Sequence, residues 1–195
     1  MAVHPQVPNA ITIARILCAP VFLWLLLADA GTGGALRWAA GIVFIVAIAT
    51  DGVDGYIARR YEIVSDLGKL LDPIADKVLT GVAFVGLSIL DELPWWVTII
   101  VLVREIGITI YRFLVVSDHV LAAAWMGKLK TVAQAVALSI ALLPLASLSD
   151  ATVWHSTVWW AGTVTMTIAV VLTIASGIDY LVSEVRGARA KRASG

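Results

Sequence analysis

Long apolar runs, separated by short polar breaks, set the pattern of this sequence. Each run holds about 20 mostly apolar residues, the length that an α-helix needs to cross the hydrocarbon core of a bilayer. The pattern predicts six such helices, at residues 10–28, 36–58, 66–90, 94–116, 127–148 and 158–182. We therefore expect an all-α integral membrane protein, a six-transmembrane-helix bundle that forms one domain over residues 1–195.

Composition supports this prediction. Hydrophobic residues make up 60% of the 195 residues and charged residues 14%, whereas a soluble domain has about 45–50% and about 25%. The single cysteine, Cys18, excludes an internal disulfide and a multi-cysteine metal site. The run that ends at Ala28 is expected to be a retained helix and not a signal peptide, because the only basic residue before it, Arg15, lies too close to the run.

The distribution of charge predicts an orientation. Basic residues gather around the second-to-third connection, around the fourth-to-fifth connection and in the C-terminal tail: Arg59, Arg60, Lys69, Lys77, Arg112, Lys128, Lys130, Arg186, Arg189, Lys191 and Arg192. On the opposite side only Arg37 is found, among acidic residues. Because basic residues favour the cytoplasmic side, we expect a multi-pass protein of the cell membrane with both termini in the cytoplasm. Tryptophans near the opposite helix ends predict an interfacial belt.

Four aspartates lie on the predicted cytoplasmic side. Asp51 and Asp54 are three residues apart in the second helix, and Asp72 and Asp76 are four apart in the third, so each pair shares a helix face. An unpaired carboxylate inside a bilayer costs about 2.5–3.5 kcal/mol, so cations are expected among them. Hard oxygen donors suit Mg²⁺ or Mn²⁺, between which the sequence does not choose, and zinc is not expected without nearby His or Cys.

Small residues beside these carboxylates predict a groove for a phosphate-bearing ligand. Gly55 follows Asp54 directly, and Ala58 lies one turn further on, so a ligand can approach the backbone there. Gly68 keeps the facing helix equally slim. Arg59 supplies a forked donor that suits phosphate oxygens.

With these residues the chain resembles the CDP-alcohol phosphatidyltransferases. Their signature, D-x-x-D-G-x-x-A-R-(x8)-G-x-x-x-D-x-x-x-D, is matched at every defined position by Asp51, Asp54, Gly55, Ala58, Arg59, Gly68, Asp72 and Asp76. The resemblance implies transfer of a phosphatidyl group from CDP-diacylglycerol to a hydroxyl, with release of CMP, at a cytoplasm-facing active site. It also implies a homodimer, and we expect membrane lipids but no nucleic acid among the partners.

The resemblance also implies roles for the individual residues. The four aspartates would hold two divalent ions, and Asp76 would double as the general base that activates the acceptor hydroxyl. The residues implied to bind CDP-diacylglycerol are Asp54, Gly55, Ala58, Arg59 and Gly68, joined by Asn9 and Thr12 of the first helix.

Basic residues bear on the choice of acceptor. Short patterns around Asn9, Asp76, Arg112 and Lys128 are most similar to a bacterial branch of the family that uses sn-glycerol 3-phosphate. By that resemblance the candidates for binding the acceptor phosphate are Arg112, Lys128, Lys130 and Arg15. Several cations would suit an acceptor that carries its own phosphate, whereas a neutral acceptor would not require them.

Alternatives stay open at this point. The same chemistry could use phosphatidylglycerol, as in a cardiolipin synthase, or inositol phosphate, as in a phosphatidylinositol-phosphate synthase. Arg104 and Glu105 lie deeper in the fourth helix and form either a structural intramembrane pair or part of a site. An ion-coupled transporter is the alternative from another class, but the carboxylates lie toward one face of the membrane and no repeat is visible.

Overall fold

The computed structural model describes residues 6–60, 66–114 and 123–193, with side chains over residues 13–50, 77–111, 125–183 and 185–186. These residues form six α-helices: α1 (Gln6–Ala28), α2 (Ala35–Arg60), α3 (Asp66–Ile89), α4 (Trp95–Leu114), α5 (Ala123–Leu142) and α6 (Thr152–Ala193). A short 3₁₀ helix, Leu145–Leu148, follows α5. No strand occurs within the described ranges, so the prediction of an all-α fold is confirmed there.

Several helix boundaries differ from the prediction: α1, α5 and α6 begin four, four and six residues earlier than expected, and the ends of α5 and α6 also differ. Helix α5 ends at Leu142 and not at residue 148, because Pro144 has no N–H to donate and disfavours helix at the residue before it. Helix α6 has 42 residues and continues through Ala193, well beyond the predicted end at 182. A helix of that length is about 63 Å long, roughly twice the thickness of a bilayer's hydrocarbon core.

The core forms where the apolar faces of the helices meet. Helix α1 packs against both α2 and α3, and α5 packs against α6. The rings of Phe22 on α1 and Phe44 on α2 lie 5.6 Å apart, and both side chains are fully buried. Gly86 lets α3 approach α1 closely, because a Cβ there would lie 2.6 Å from a methyl carbon of Leu26.

Three loops meet at one end of the bundle, which we call the distal end: residues 29–34, 90–94 and 143–151. Buried Arg37 of α2 holds them together. Its Nη1 and Nη2 donate to the two carboxylate oxygens of Glu92, the Nη1 bond being 2.8 Å long. Its Nε donates to the carbonyl of Leu142 at 2.8 Å and Nη2 to that of Ala141 at 2.9 Å. One guanidinium therefore satisfies carbonyls that the end of α5 leaves without helical partners.

The local turn after α3 explains why Glu92 reaches Arg37. Asp91 adopts a left-handed conformation with φ of 57°, which aspartate tolerates better than most residues. The Asp91 amide donates to the Ser88 carbonyl at 3.2 Å, and the Glu92 amide donates to the Leu87 carbonyl at 2.9 Å. This is the Schellman arrangement of a helix C-terminus, and it turns the chain so that Glu92 follows directly.

Asp29 organises the loop before α2. Its carboxylate accepts bonds from the Thr32 hydroxyl at 3.1 Å and from the amides of Gly33 at 2.9 Å and Gly34 at 3.0 Å. Burial favours the neutral acid, but these bonds outweigh it and lower the pKa of Asp29 below its ordinary value. The loop is thereby fixed at the point where α2 begins.

In addition to its apolar core, this bundle has an apolar outer surface and several charged side chains in its interior. Large apolar side chains are exposed on the outside of four helices, including Leu17 (62%), Val103 (67%), Val132 (61%) and Leu181 (63%). The buried residues include several charged or polar side chains: Arg15, Arg37, Glu105, Lys130, Gln134, Thr173 and Ser176. Within the described residues, the segment Thr152–Ser183 of α6 is long and apolar enough to cross a membrane.

We predict that Arg37→Met destabilises the protein by about 2 kcal/mol. The value lies below the usual cost of about 3–5 kcal/mol for breaking a buried ion pair, because the Glu92 side chain keeps 33% exposure. Thermal unfolding of the purified protein in detergent measures the effect. Asp150→Asn, at an exposed position of the same end, is the control and should leave stability within about 0.5 kcal/mol of the parent. Equal stability of both variants and the parent would contradict the role given to Arg37.

Candidate active site

The predicted signature residues lie on two helices. The last three turns of α2 carry Asp51, Asp54, Gly55, Ala58 and Arg59, and the first half of α3 carries Gly68, Asp72 and Asp76. Their backbone is helical, so the members of each aspartate pair share a helix face as predicted. Their side chains lie outside the described residues, as do those of Asn9 and Thr12 on α1 and Arg112 on α4. Their proposed contacts therefore stay predictions.

Arg15 lies beside the aspartate-bearing part of α2. This residue of α1 is buried, and its Nε donates to the carbonyl of Ala47 at 3.1 Å. Ala47 precedes Asp51 by four residues, which is one helical turn. The Thr50 hydroxyl also donates to the Ala47 carbonyl, at 2.8 Å. Packing of α1 on α2 thus places a guanidinium one turn from the first signature aspartate.

The described side chains include one concentrated group of charges in the middle of the bundle. At its centre is Glu105 of α4, whose side chain is 8% exposed. Lys77 of α3 donates to Oε2, and Lys130 of α5 donates to Oε1. Arg104 adds a third bond, from Nη1 to Oε1 at 3.0 Å. We call these four residues, Lys77, Arg104, Glu105 and Lys130, the Glu105 cluster.

The cluster also reaches the sixth helix. Nη2 of Arg104 donates to the Ser176 hydroxyl at 2.9 Å. Gly177 leaves room for the arginine, because a Cβ there would lie 3.3 Å from Arg104 Cγ. A further polar contact nearby joins α5 to α6, where the side-chain amide of Gln134 donates to the Thr173 hydroxyl at 2.9 Å. The cluster therefore joins α3, α4, α5 and α6 through side chains in their interiors.

The structure separates two lysines that the sequence pattern grouped together. Lys130 is 3% exposed and its ammonium group is paired with Glu105, whereas Lys128 is exposed and lies two residues earlier on α5. Both were predicted to bind the acceptor phosphate. Of the two, Lys128 is open to solvent or headgroups, and Lys130 belongs to the buried cluster.

Sequence reasoning missed the part that Glu105 and Lys77 take in this arrangement. Glu105 was predicted to have either a structural or a site role, and Lys77 was counted among the basic residues around the second-to-third connection. A signal was present, because single charges near the middle of three apolar helices must find partners within the bundle. Burial of the charges on Lys77, Glu105 and Lys130 is tolerated only because these groups pair with one another.

A cavity of about 730 Å³ opens at the distal end. It runs along α6 from Val158 to Ile174 and has the Arg37–Glu92 pair in its wall. Its other walls are mostly apolar, and among the described residues that line it Glu92 is the one carboxylate. The cavity therefore does not coincide with the aspartate-bearing segments of α2 and α3.

Comparison with known proteins identifies the family. The family model described as CDP-alcohol phosphatidyltransferase matches residues 5–175. The chain belongs to the CDP-alcohol phosphatidyltransferase family. The matched range contains every signature residue and the whole Glu105 cluster, whereas the last part of α6 lies beyond it.

Relatives with curated names align over most of this chain. A probable phosphatidylglycerophosphate synthase of Mycobacterium tuberculosis is 41% identical over 91% of this chain and 81% of its own length. The CDP-diacylglycerol–glycerol-3-phosphate 3-phosphatidyltransferases of Bacillus subtilis and Escherichia coli are 36% and 33% identical, each over 90% of this chain and 93% of their own length.

We predict that Lys130→Met lowers the free energy of unfolding by about 1.5–3 kcal/mol, because it removes one charge-assisted hydrogen bond from the buried Glu105 carboxylate, which keeps Lys77 and Arg104 as partners. The matched control is Lys128→Met, the same change two residues away at an exposed position, which should alter stability by less than about 0.5 kcal/mol. Thermal unfolding in detergent measures both. The assignment of Lys130 to the buried cluster fails if the two variants unfold alike.

Proposed function

We propose that this chain transfers the phosphatidyl group of CDP-diacylglycerol to sn-glycerol 3-phosphate, giving phosphatidylglycerophosphate and CMP. The observation that carries the proposal is that relatives named for this product or reaction align over at least 90% of the chain at 33–41% identity. The complete family signature agrees with the transfer itself, and the Glu105 cluster agrees with a phosphate-bearing acceptor.

The four aspartates are proposed to hold two divalent ions, Mg²⁺ or Mn²⁺. Asp51, Asp54, Asp72 and Asp76 supply carboxylate oxygens from two helix faces, a donor set that fits hard cations with oxygen coordination. Bound ions of this kind neutralise negative charge on the oxygens of a pyrophosphate during an in-line displacement.

A separate set of residues is proposed to bind CDP-diacylglycerol. Gly55 and Ala58 on α2, opposite Gly68 on α3, leave the backbone open to the cytidine diphosphate group. Arg59 can donate two parallel bonds to its phosphate oxygens. The remaining members of the set are Asp54, Asn9 and Thr12.

Asp76 is proposed to act as the general base. It would accept the proton of the acceptor hydroxyl while the hydroxyl oxygen forms its bond to the phosphorus of the phosphatidyl group. The bond between that phosphorus and the bridging oxygen of CMP breaks, so the electron pair leaves with CMP. No covalent intermediate on the protein is needed for this direct displacement.

The acceptor's phosphate is proposed to lie among the cations Arg112, Lys128, Lys130 and Arg15. Two of them have described surroundings that support this placement. Buried Arg15 lies one turn from Asp51 on the α2 side, and Lys130 lies in the cluster that contains Lys77, the residue after Asp76. Both therefore lie close in the fold to the helices that carry the aspartates.

We further propose that all six helices cross the cell membrane, with the active site and both termini in the cytoplasm, and that the protein is a homodimer. The exposed apolar side chains of α1, α4, α5 and α6 support a lipid-facing surface. Trp24, Trp95, Trp96, Trp159 and Trp160 are exposed near the distal end, as expected for a tryptophan belt at an interface. Apart from Arg37, the basic residues used to predict the orientation belong to the segments at the other end.

An acceptor panel tests the proposed reaction. With CDP-diacylglycerol and Mg²⁺ or Mn²⁺, the purified protein should release CMP when sn-glycerol 3-phosphate is added, because that acceptor presents both a hydroxyl and a phosphate. Parallel reactions contain phosphatidylglycerol, inositol phosphate or no acceptor. Release only with phosphatidylglycerol, or only with inositol phosphate, would identify that compound as the acceptor instead. No release with any acceptor would reject the proposal that the chain is an enzyme of this kind.

We predict that Asp76→Asn lowers the rate of CMP release by about 10²–10⁴-fold, the usual contribution of a general base. Binding of CDP-diacylglycerol, measured as its shift of the unfolding temperature, should be largely kept because the other signature residues remain. Asp150→Asn at the distal end is the matched control and should keep the parental rate. Undiminished turnover in Asp76→Asn would reject its role as base.

A further inference from the structure

The Glu105 cluster holds more donors than one carboxylate can accept. Two lysines and one arginine carry eleven N–H groups, whereas a carboxylate offers about four lone-pair positions. Among the described side chains that make up the cluster, three positive charges face one negative charge. Nε of Arg104 is buried without a hydrogen-bond partner among these described side chains. The cluster is therefore able to accept a further anion.

A purely structural ion pair would not need this arrangement. Burying charges is unfavourable, and a single cation would suffice to neutralise Glu105. Two ammonium groups from different helices instead meet on the two oxygens of one carboxylate, Lys77 on Oε2 and Lys130 on Oε1. Without that carboxylate they would repel each other at short range in a low-dielectric interior.

The cluster can be reached through Lys77. Its side chain is 29% exposed, whereas those of Glu105 and Lys130 are 8% and 4% exposed. Lys77 also follows Asp76 directly on α3, so the accessible side of the cluster adjoins the proposed base. An anion that reaches Lys77 would be close to the helix that carries the reacting groups.

We propose that Glu105 is a positioning residue for the acceptor's phosphate. Its carboxylate holds the ammonium groups of Lys77 and Lys130 together, so that they present a preformed pair of cations to the phosphate of sn-glycerol 3-phosphate. Glu105 acts only through these lysines and touches neither substrate. The proposal rests on the proposed function, because it concerns the acceptor of the same reaction.

Glu105→Gln tests the proposal through the two Michaelis constants. The KM for sn-glycerol 3-phosphate should rise about tenfold, the size expected for one misplaced charge-assisted hydrogen bond, while the KM for CDP-diacylglycerol stays within about twofold. Glu105→Asp keeps the charge and should show a smaller rise than Glu105→Gln. An unchanged KM for sn-glycerol 3-phosphate, or an equal rise in both constants, would overturn the positioning role.

Two further variants separate positioning from stability. Glu92→Gln breaks the ion pair at the distal end and should lower the unfolding temperature without changing either KM. The double variant Glu105→Gln, Lys130→Gln has no buried unpaired charge at these two positions, so its unfolding temperature should recover relative to Glu105→Gln. Its KM for sn-glycerol 3-phosphate should nevertheless stay raised, and recovery of both quantities would show a structural role only.

The parent protein distinguishes the two possible failures. If it releases no CMP with sn-glycerol 3-phosphate, the proposed function fails. If it does release CMP and Glu105→Gln keeps the parental KM, the positioning role fails while the function stands. Should Glu105→Gln not fold, Glu105→Asp decides the question by the same two constants.

Discussion

The buried carboxylate of Glu105 is the constraint on which much of this bundle depends. In a low-dielectric interior an isolated charge is strongly disfavoured, so the helices must pack in the one way that brings its partners to it. Lys77 and Lys130 come from α3 and α5, and Arg104 extends the contact to Ser176 on α6. Apolar packing alone specifies helix rotation weakly, whereas this set of bonds requires each helix to present one particular face.

At the distal end, the Arg37–Glu92 pair joins helices in a similar way. It joins α2 to the turn after α3 and to the carbonyls that end α5. Between the two charged contacts lie the apolar contacts of Phe22, Phe44 and their neighbours. The two charged groups differ in net charge. The distal pair has one cation and one anion, whereas the Glu105 cluster carries surplus positive charge. That surplus of positive charge is the basis of our proposal that the Glu105 cluster receives the phosphate of the acceptor.

The helical backbone of the signature segments was predictable because its signal is local. Asp51, Asp54, Asp72 and Asp76 stand at helical spacings, and the helical backbone of both segments agrees with the predicted shared faces. The family match then covers residues 5–175. The end of α5 was less predictable, since the apolar run continues past Pro144 and hydropathy carries no information about the backbone N–H that proline lacks. The contact of Glu105 with adjacent Arg104 was among the expected alternatives, but its contacts with Lys77 and Lys130 were not predictable, because those residues lie 28 and 25 residues away in the chain.

The sequence by itself determined the helical class, the apolar periodicity and the motif that carries the family, since each depends on residues within a few turns of one another. Tertiary structure alone decided which charges meet. It buried Lys130 and left Lys128 exposed, although two residues separate them, because they face different sides of α5. It also gave Glu105 three cationic partners from three helices. Such contacts follow from helix packing and charge burial together, and neither is written in any single stretch of the chain.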